Sequence, residues 1–140
     1  YPLVKIIFFG YSKPDKSDFE EEFEWIHAPV GEDLRETYRR IHIFISPSLQ
    51  EGCHNPPREA MAAECAVVAT NVGCIPDIAK DNLNALVIRP GSVNDLEDSI
   101  SRLISSPNLI KKLSINGKNR ILEDTWDSKV TKFENCLETI

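Results

Sequence analysis

The chain has 140 residues, 41% of them apolar and 27% charged, with 16 basic against 22 acidic side chains and a net charge of −6. That is one domain's worth of an ordinary soluble globule, long enough to bury well over half of its unfolded surface. Its acidity argues against sequence-independent nucleic-acid binding, and no apolar run approaches membrane-spanning length.

The four cysteines, Cys53, Cys65, Cys74 and Cys136, form neither a C-x-x-C pair nor a Cys/His zinc spacing. Isolated cysteines of this kind fit a reducing cytosol. The chain opens on Tyr1 without a signal-peptide pattern, and is expected to be a piece of a longer polypeptide.

Taken in order, Leu3 to Phe9 reads as a strand ended by Gly10, and Tyr11 to Ser17 as a loop carrying Pro14. Phe19 to Ile26 is ambiguous: Phe19, Phe23 and Ile26 suit a helix, whereas Phe23 and Trp25 alternate as in a strand. Ala28-Pro29-Val30-Gly31 is a loop. Glu32 to Arg40 is an amphipathic helix, acidic at its start and basic at its end, as its dipole favours.

Ile41 to Ile45 is a β-branched, apolar run that suits a buried strand, stopped by Ser46-Pro47-Ser48. A loop from Gln50 to Asn55 leads into a helix opened by Pro56-Pro57, with Asn55 as N-cap and Arg58 to Glu64 as strong helix formers. Ala66 to Ala69 is a short buried strand, Asn71 to Cys74 a turn, and Ile75 to Ala79 a short helical piece. Ala85 to Ile88 is the last strand. Helices over Val93 to Ser105 (capped by Asn94 or Ser92), Pro107 to Asp124 and Trp126 to about Glu138 complete the chain. Alternating strands and helices imply an α/β fold with a doubly wound, mostly parallel sheet and helices on both faces.

The chemistry concentrates between residues 46 and 70. Glu51 and Glu59 are separated by seven residues, one on the loop at a strand's carboxyl end and the other about one turn into the following helix. Open α/β sheets bind ligands in that crevice. The amides of Gly52, Cys53, His54 and Asn55, with the positive end of the helix, suit phosphate oxygens, and paired carboxylates suit sugar hydroxyls. Together they describe a site for a sugar-bearing diphosphate.

The wording of this stretch is similar to the C-terminal, donor-binding domain of the family 4 glycosyltransferases, retaining enzymes with the two-Rossmann-domain GT-B fold. The shared residues are Glu51, Gly52, Pro56, Glu59, Ala60, Met61, Ala62, Val67, Val68, Ala69, Thr70, Gly73, Pro76 and Asp77. The chain departs from the family's pattern at Cys53, His54, Asn55, Cys65 and Cys74. The resemblance implies one Rossmann-like domain over residues 1–140, half of a GT-B fold lacking its first strand–helix unit, whose G-R and K-G residues would contact the donor diphosphate. It favours a strand at about Glu22 to His27.

It also implies roles. Glu51 would be the catalytic-centre contact to the donor sugar. Glu59 would accept hydrogen bonds from ribose hydroxyls, and Val30, after Pro29, would flank the nucleobase. No cofactor or metal is implied, only a nucleotide-diphosphate sugar as co-substrate, with an acceptor glycan or lipid held by an N-terminal domain. A cytoplasmic location, at the inner membrane surface only through the missing half, and polysaccharide assembly follow by association only. The isolated chain is expected to be inactive. Against these stand the bland readings: Glu51 a solvated loop acid, Glu59 an exposed helical glutamate, Val30 a loop residue over the core, and Arg58 a surface charge unless it replaces missing phosphate-binding charge. His54 is either a loop histidine or a donor to phosphate or sugar oxygen. Cys53 and Cys74 read as small packing residues, with no basic neighbour in sequence to activate them. The competing functions are a non-catalytic Rossmann-like module for a nucleotide or protein, and a sugar-nucleotide epimerase-like domain.

Overall fold

The computed structural model describes residues 4–53 and 55–138. By internal contacts the chain divides into two compact units, one up to Thr37 and one from Tyr38 onward. All strand pairings among the described residues are parallel, and the strand–helix alternation is the Rossmann-like α/β arrangement that the sequence predicts.

In the first unit, β1 (Ile6–Gly10) pairs with β2 (Phe23–His27), Ile6 opposite Phe23 and Gly10 opposite His27. The ambiguous segment is thus a strand. Phe19 and Phe23 share a helix-like spacing for another reason: both rings pack on Phe8, at centroid distances of 5.0 and 5.2 Å, and on each other at 5.3 Å. A single 3-10 turn, Lys16–Asp18, interrupts the predicted loop, with Asp15 accepting from the Ser17 amide. Helix α1 (Gly31–Arg39) begins on a left-handed glycine, φ 58°, one residue earlier than predicted.

In the second unit, β3 (Ile43–Ser46), β4 (Ala66–Thr70) and β5 (Leu86–Ile88) form a sheet of order β3-β4-β5. Strand β3 starts two residues later than the apolar run, because the Ile41 amide donates to the Tyr38 carbonyl at the end of α1. Ser46, read as a strand stop, is buried inside the strand, opposite Ala69. β4 is the central strand, and all five of its residues are buried, as expected of a parallel strand covered on both faces.

Helix α2 (Asn55–Ala62) packs against β3 and β4, and α5 (Pro107–Leu122) against β4 and α2. Ala66, Val68, Leu86 and Ile88 meet Leu103 of α4 (Val93–Ser105) and Leu113 of α5 in one apolar core. Close packing of α5 depends on Gly117: a Cβ there would lie 3.2 Å from both the Asn84 carbonyl oxygen and the Met61 Cγ. Of the two candidate caps for α4, Ser92 is the one used, accepting from the Asp95 amide at 3.3 Å. Ser106 caps α5 in the same way ahead of Pro107. A short α3 (Ile75–Ile78) and the closing α6 (Trp126–Glu138) complete the described elements. No helix among the described residues is long and apolar enough to cross a membrane.

Candidate functional site

The loop after β3 is built on a buried threonine at the end of β4. Thr70, 1% exposed, brings its hydroxyl to 2.5 Å from the Ser48 carbonyl and 3.5 Å from the Ser46 carbonyl. Ser48, so fixed, donates its own hydroxyl to Glu51 Oε1 at 2.8 Å. The far wall of this loop is the glycine turn after β4. Gly73 adopts φ 55°, and a Cβ built on it would stand 2.3 Å from the Gly52 carbonyl oxygen and 3.1 Å from the Glu51 Cβ. Only a residue without a side chain lets the two loops meet this closely in that conformation. The structure therefore brings Glu51 and Gly52 together with Gly73, two stretches of the motif 21 residues apart in the chain.

Glu59 lies on α2, exposed to solvent. Its Oε2 accepts from the Tyr38 phenol at 3.1 Å, and the same phenol lies 3.3 Å from the Pro56 carbonyl oxygen. Tyr38 is itself only 4% exposed, with its ring on Phe44 at 5.8 Å. Burial, and then the nearby charge of Glu59, push the phenol well above its ordinary range, so it stays a proton donor. Each acid of the pair thus takes a hydrogen bond from a hydroxyl anchored in the second unit: Ser48 for Glu51, Tyr38 for Glu59.

The start of α2 differs from the sequence reading. Asn55 stands inside the first turn and not outside it as cap. Pro56 and Pro57 lack amide hydrogens, so that turn has fewer donors for a cap to satisfy. Gly52, Cys53 and Asn55 are all exposed. His54 lies outside the described residues.

Arg58 is neither a plain surface charge nor a spare phosphate ligand. Its guanidinium bonds Asp124 Oδ2 at 2.7 Å across 66 residues, and Lys129 Nζ reaches Oδ1 of the same carboxylate at 2.6 Å. The hydrogen bond from Lys129, followed by that from Arg58, holds the Asp124 carboxyl down at about 2 even though its side chain is only 5% exposed. Cys53 is exposed, which removes the packing reading for it, while Cys74 is half-buried. Val30 is 70% exposed in the first unit, which sets aside its reading as a residue covering the core. Tyr38, Ser48 and Arg58's partner Asp124 escaped sequence reasoning. The one signal for Tyr38 was an aromatic on the buried face of α1.

Among known proteins, the family described as "Glycosyl transferases group 1" matches residues 4–106. An MMP alpha-(1->4)-mannosyltransferase of Mycolicibacterium hassiacum is 32% identical over 108 residues, which are 74% of this chain and 26% of that protein. A solved C-terminal domain of a glycosyl transferase group 1 family protein, LpcC from Francisella tularensis, is 30% identical, with a TM-score of 0.67 over 76% of this chain and 55% of that one. HepE from Anabaena, solved in complex with UDP, shares the fold at 16% identity, with a TM-score of 0.79 over 100% of this chain and 42% of that one. The chain spans about a quarter of the length of the curated relatives it matches, 26% and 29% for two of them.

Proposed function

From the chain's membership of the group 1 glycosyl transferases, we propose that these 140 residues form one nucleotide-sugar-binding domain of a longer enzyme, a hexosyltransferase acting with retained anomeric configuration. The donor is a nucleotide-diphosphate sugar. Glu51 reads the sugar at the reaction centre, Glu59 the ribose hydroxyls, and Gly52, Cys53, His54 and Asn55 the diphosphate. Helix dipole and amide donors stabilise the departing diphosphate, so no metal is required. The acceptor, a glycan or lipid-linked sugar, is held by another part of the protein, in the cytoplasm or at the inner face of a membrane, in polysaccharide synthesis. In this reading the chain alone transfers no sugar.

The observation that carries the proposal is the pair of exposed carboxylates, one at the carboxyl end of β3 and one on α2, each held by a hydroxyl of the scaffold. A neighbour of the same fold is solved with UDP-glucose, which supports a nucleotide sugar as ligand.

Calorimetric titration of the chain with UDP, GDP and dTDP and their sugars tests the reading. Loss of binding in both Glu51→Gln and Glu59→Gln is expected. Binding indifferent to both changes would instead describe a non-catalytic module.

A further inference from the structure

We infer that Tyr38 is a positioning residue for nucleotide recognition: its phenol fixes the Glu59 carboxylate so that the remaining acceptor positions face the ligand's vicinal hydroxyls. The inference rests on the reading of Glu59 given above. Its physical ground is local. An exposed glutamate on a helix ordinarily samples several rotamers, and ordering such a long side chain on binding weakens affinity. Here the rotamer is selected before any ligand arrives, because Oε2 is already engaged at 3.1 Å by a donor that cannot move. The donor is immobile because its ring is 4% exposed and packed on Phe44.

Proton counting sharpens this. A phenol has one proton to give, and here it faces two acceptors, Glu59 Oε2 and the Pro56 carbonyl oxygen at 3.3 Å. The ionised carboxylate is the stronger acceptor and takes the larger share. Oε1 and the second lone pair of Oε2 are left as acceptors. The site therefore selects for a ligand that presents hydroxyl donors at this point, which a vicinal diol does and a dideoxy sugar does not.

The test uses whichever of UDP or GDP the chain binds more tightly, together with its 2′,3′-dideoxy analogue. Tyr38→Phe keeps the ring and its packing while removing the donor. About tenfold weaker binding of the ribonucleotide is expected, the equivalent of one hydrogen bond to a charged group, with little change for the dideoxy analogue. Incorporating 4-aminophenylalanine at position 38 restores a donor and should recover most of the loss. Paired with 4-fluorophenylalanine, it also serves as the comparison if the phenylalanine variant does not fold.

Equal weakening for both ligands would mean that Tyr38 only supports the fold, and would overturn the inference. So would unchanged ribonucleotide binding in Tyr38→Phe beside a loss in Glu59→Gln, an outcome that leaves the function of Glu59 standing. A chain that binds neither ribonucleotide would overturn the inference, and one that binds no dTDP either would overturn both.

Discussion

Replacing Gly73 with alanine should do two kinds of damage that a second glycine can separate. At φ 55° any side chain pays the left-handed conformational cost, about 1–2 kcal/mol. The added methyl would also sit 2.3 Å from the Gly52 carbonyl oxygen, with the Glu51 Cβ and carbonyl oxygen both at 3.1 Å. These are backbone or near-backbone atoms, so ordinary contact requires the loop to retreat by about 1 Å, and overpacking of that kind costs about 1–3 kcal/mol more. Gly91 is the control: its φ is 74°, but the nearest atom to a built Cβ is Leu49 Cδ2 at 3.7 Å, an ordinary contact. Gly91→Ala should therefore cost only the conformational part. Urea unfolding followed by circular dichroism should give a loss of about 2–5 kcal/mol for Gly73→Ala against about 1–2 kcal/mol for Gly91→Ala. Because the retreating loop carries Glu51, nucleotide-sugar binding should fall in the first variant and hold in the second. Equal losses for the two variants, within about 0.5 kcal/mol, would refute the claim that close approach, and not backbone conformation, makes Gly73 necessary.

Two further outcomes follow from buried groups. Asp124→Asn removes the charge that Arg58 and Lys129 share, and should cost about 2–4 kcal/mol at neutral pH. Because the folded carboxyl is held near 2, below the ordinary aspartate value of about 3.9, its contribution is complete above that ordinary value and is lost as pH falls through 2. The variant's acid unfolding curve should lack that portion, and identical acid limbs would exclude the effect. The Cys65 thiol, 1% exposed and pushed up to about 12 by burial, should resist iodoacetamide at pH 8 until the chain is unfolded, while exposed Cys53 and Cys136 alkylate readily. Peptide mapping by mass spectrometry checks it; comparable native labelling of Cys65 would contradict the burial.

The order and type of elements were legible because strong local signals agreed with tertiary position. Prolines 56 and 57 open α2, Pro107 opens α5 behind Ser106, and the AVVAT run is apolar enough to be a doubly covered strand. Where the reading slipped, a long-range partner decided. The Phe19–Phe23 spacing mimics a helix because both rings converge on Phe8 of a neighbouring strand. Ser46 looked like a stop, yet it pairs opposite Ala69. The site divides in the same way. Glu51, Gly52, Glu59 and Gly73 stand out as a spaced motif, but the hydroxyls that hold the two acids come from Ser48 and Tyr38. Tyr38 precedes its acid by 21 residues on a different helix. Beyond an aromatic on the buried face of α1, no local pattern marks such a partner.

The acids of the second unit differ in what holds them, and the difference bears on function. Asp124 takes its hydrogen bonds from Lys129 and Arg58, and Asp95 from Arg89, with bonds of 2.8 Å to each of its carboxylate oxygens. Full counter-charges stabilise those carboxylates, and both are held well below the ordinary range by them. Glu59 is held by a neutral phenol, and Glu51 has a serine hydroxyl among its partners. The neutral phenol orients the Glu59 carboxylate without cancelling its charge, so the remaining lone pairs of that carboxylate stay strong acceptors for an incoming hydroxyl. Arg58 shows the converse. It sits in the first turns of the helix where a diphosphate would be drawn, yet its charge is committed to Asp124. If a diphosphate binds at this helix, its counter-charge comes from amide groups, the helix dipole and basic residues other than Arg58.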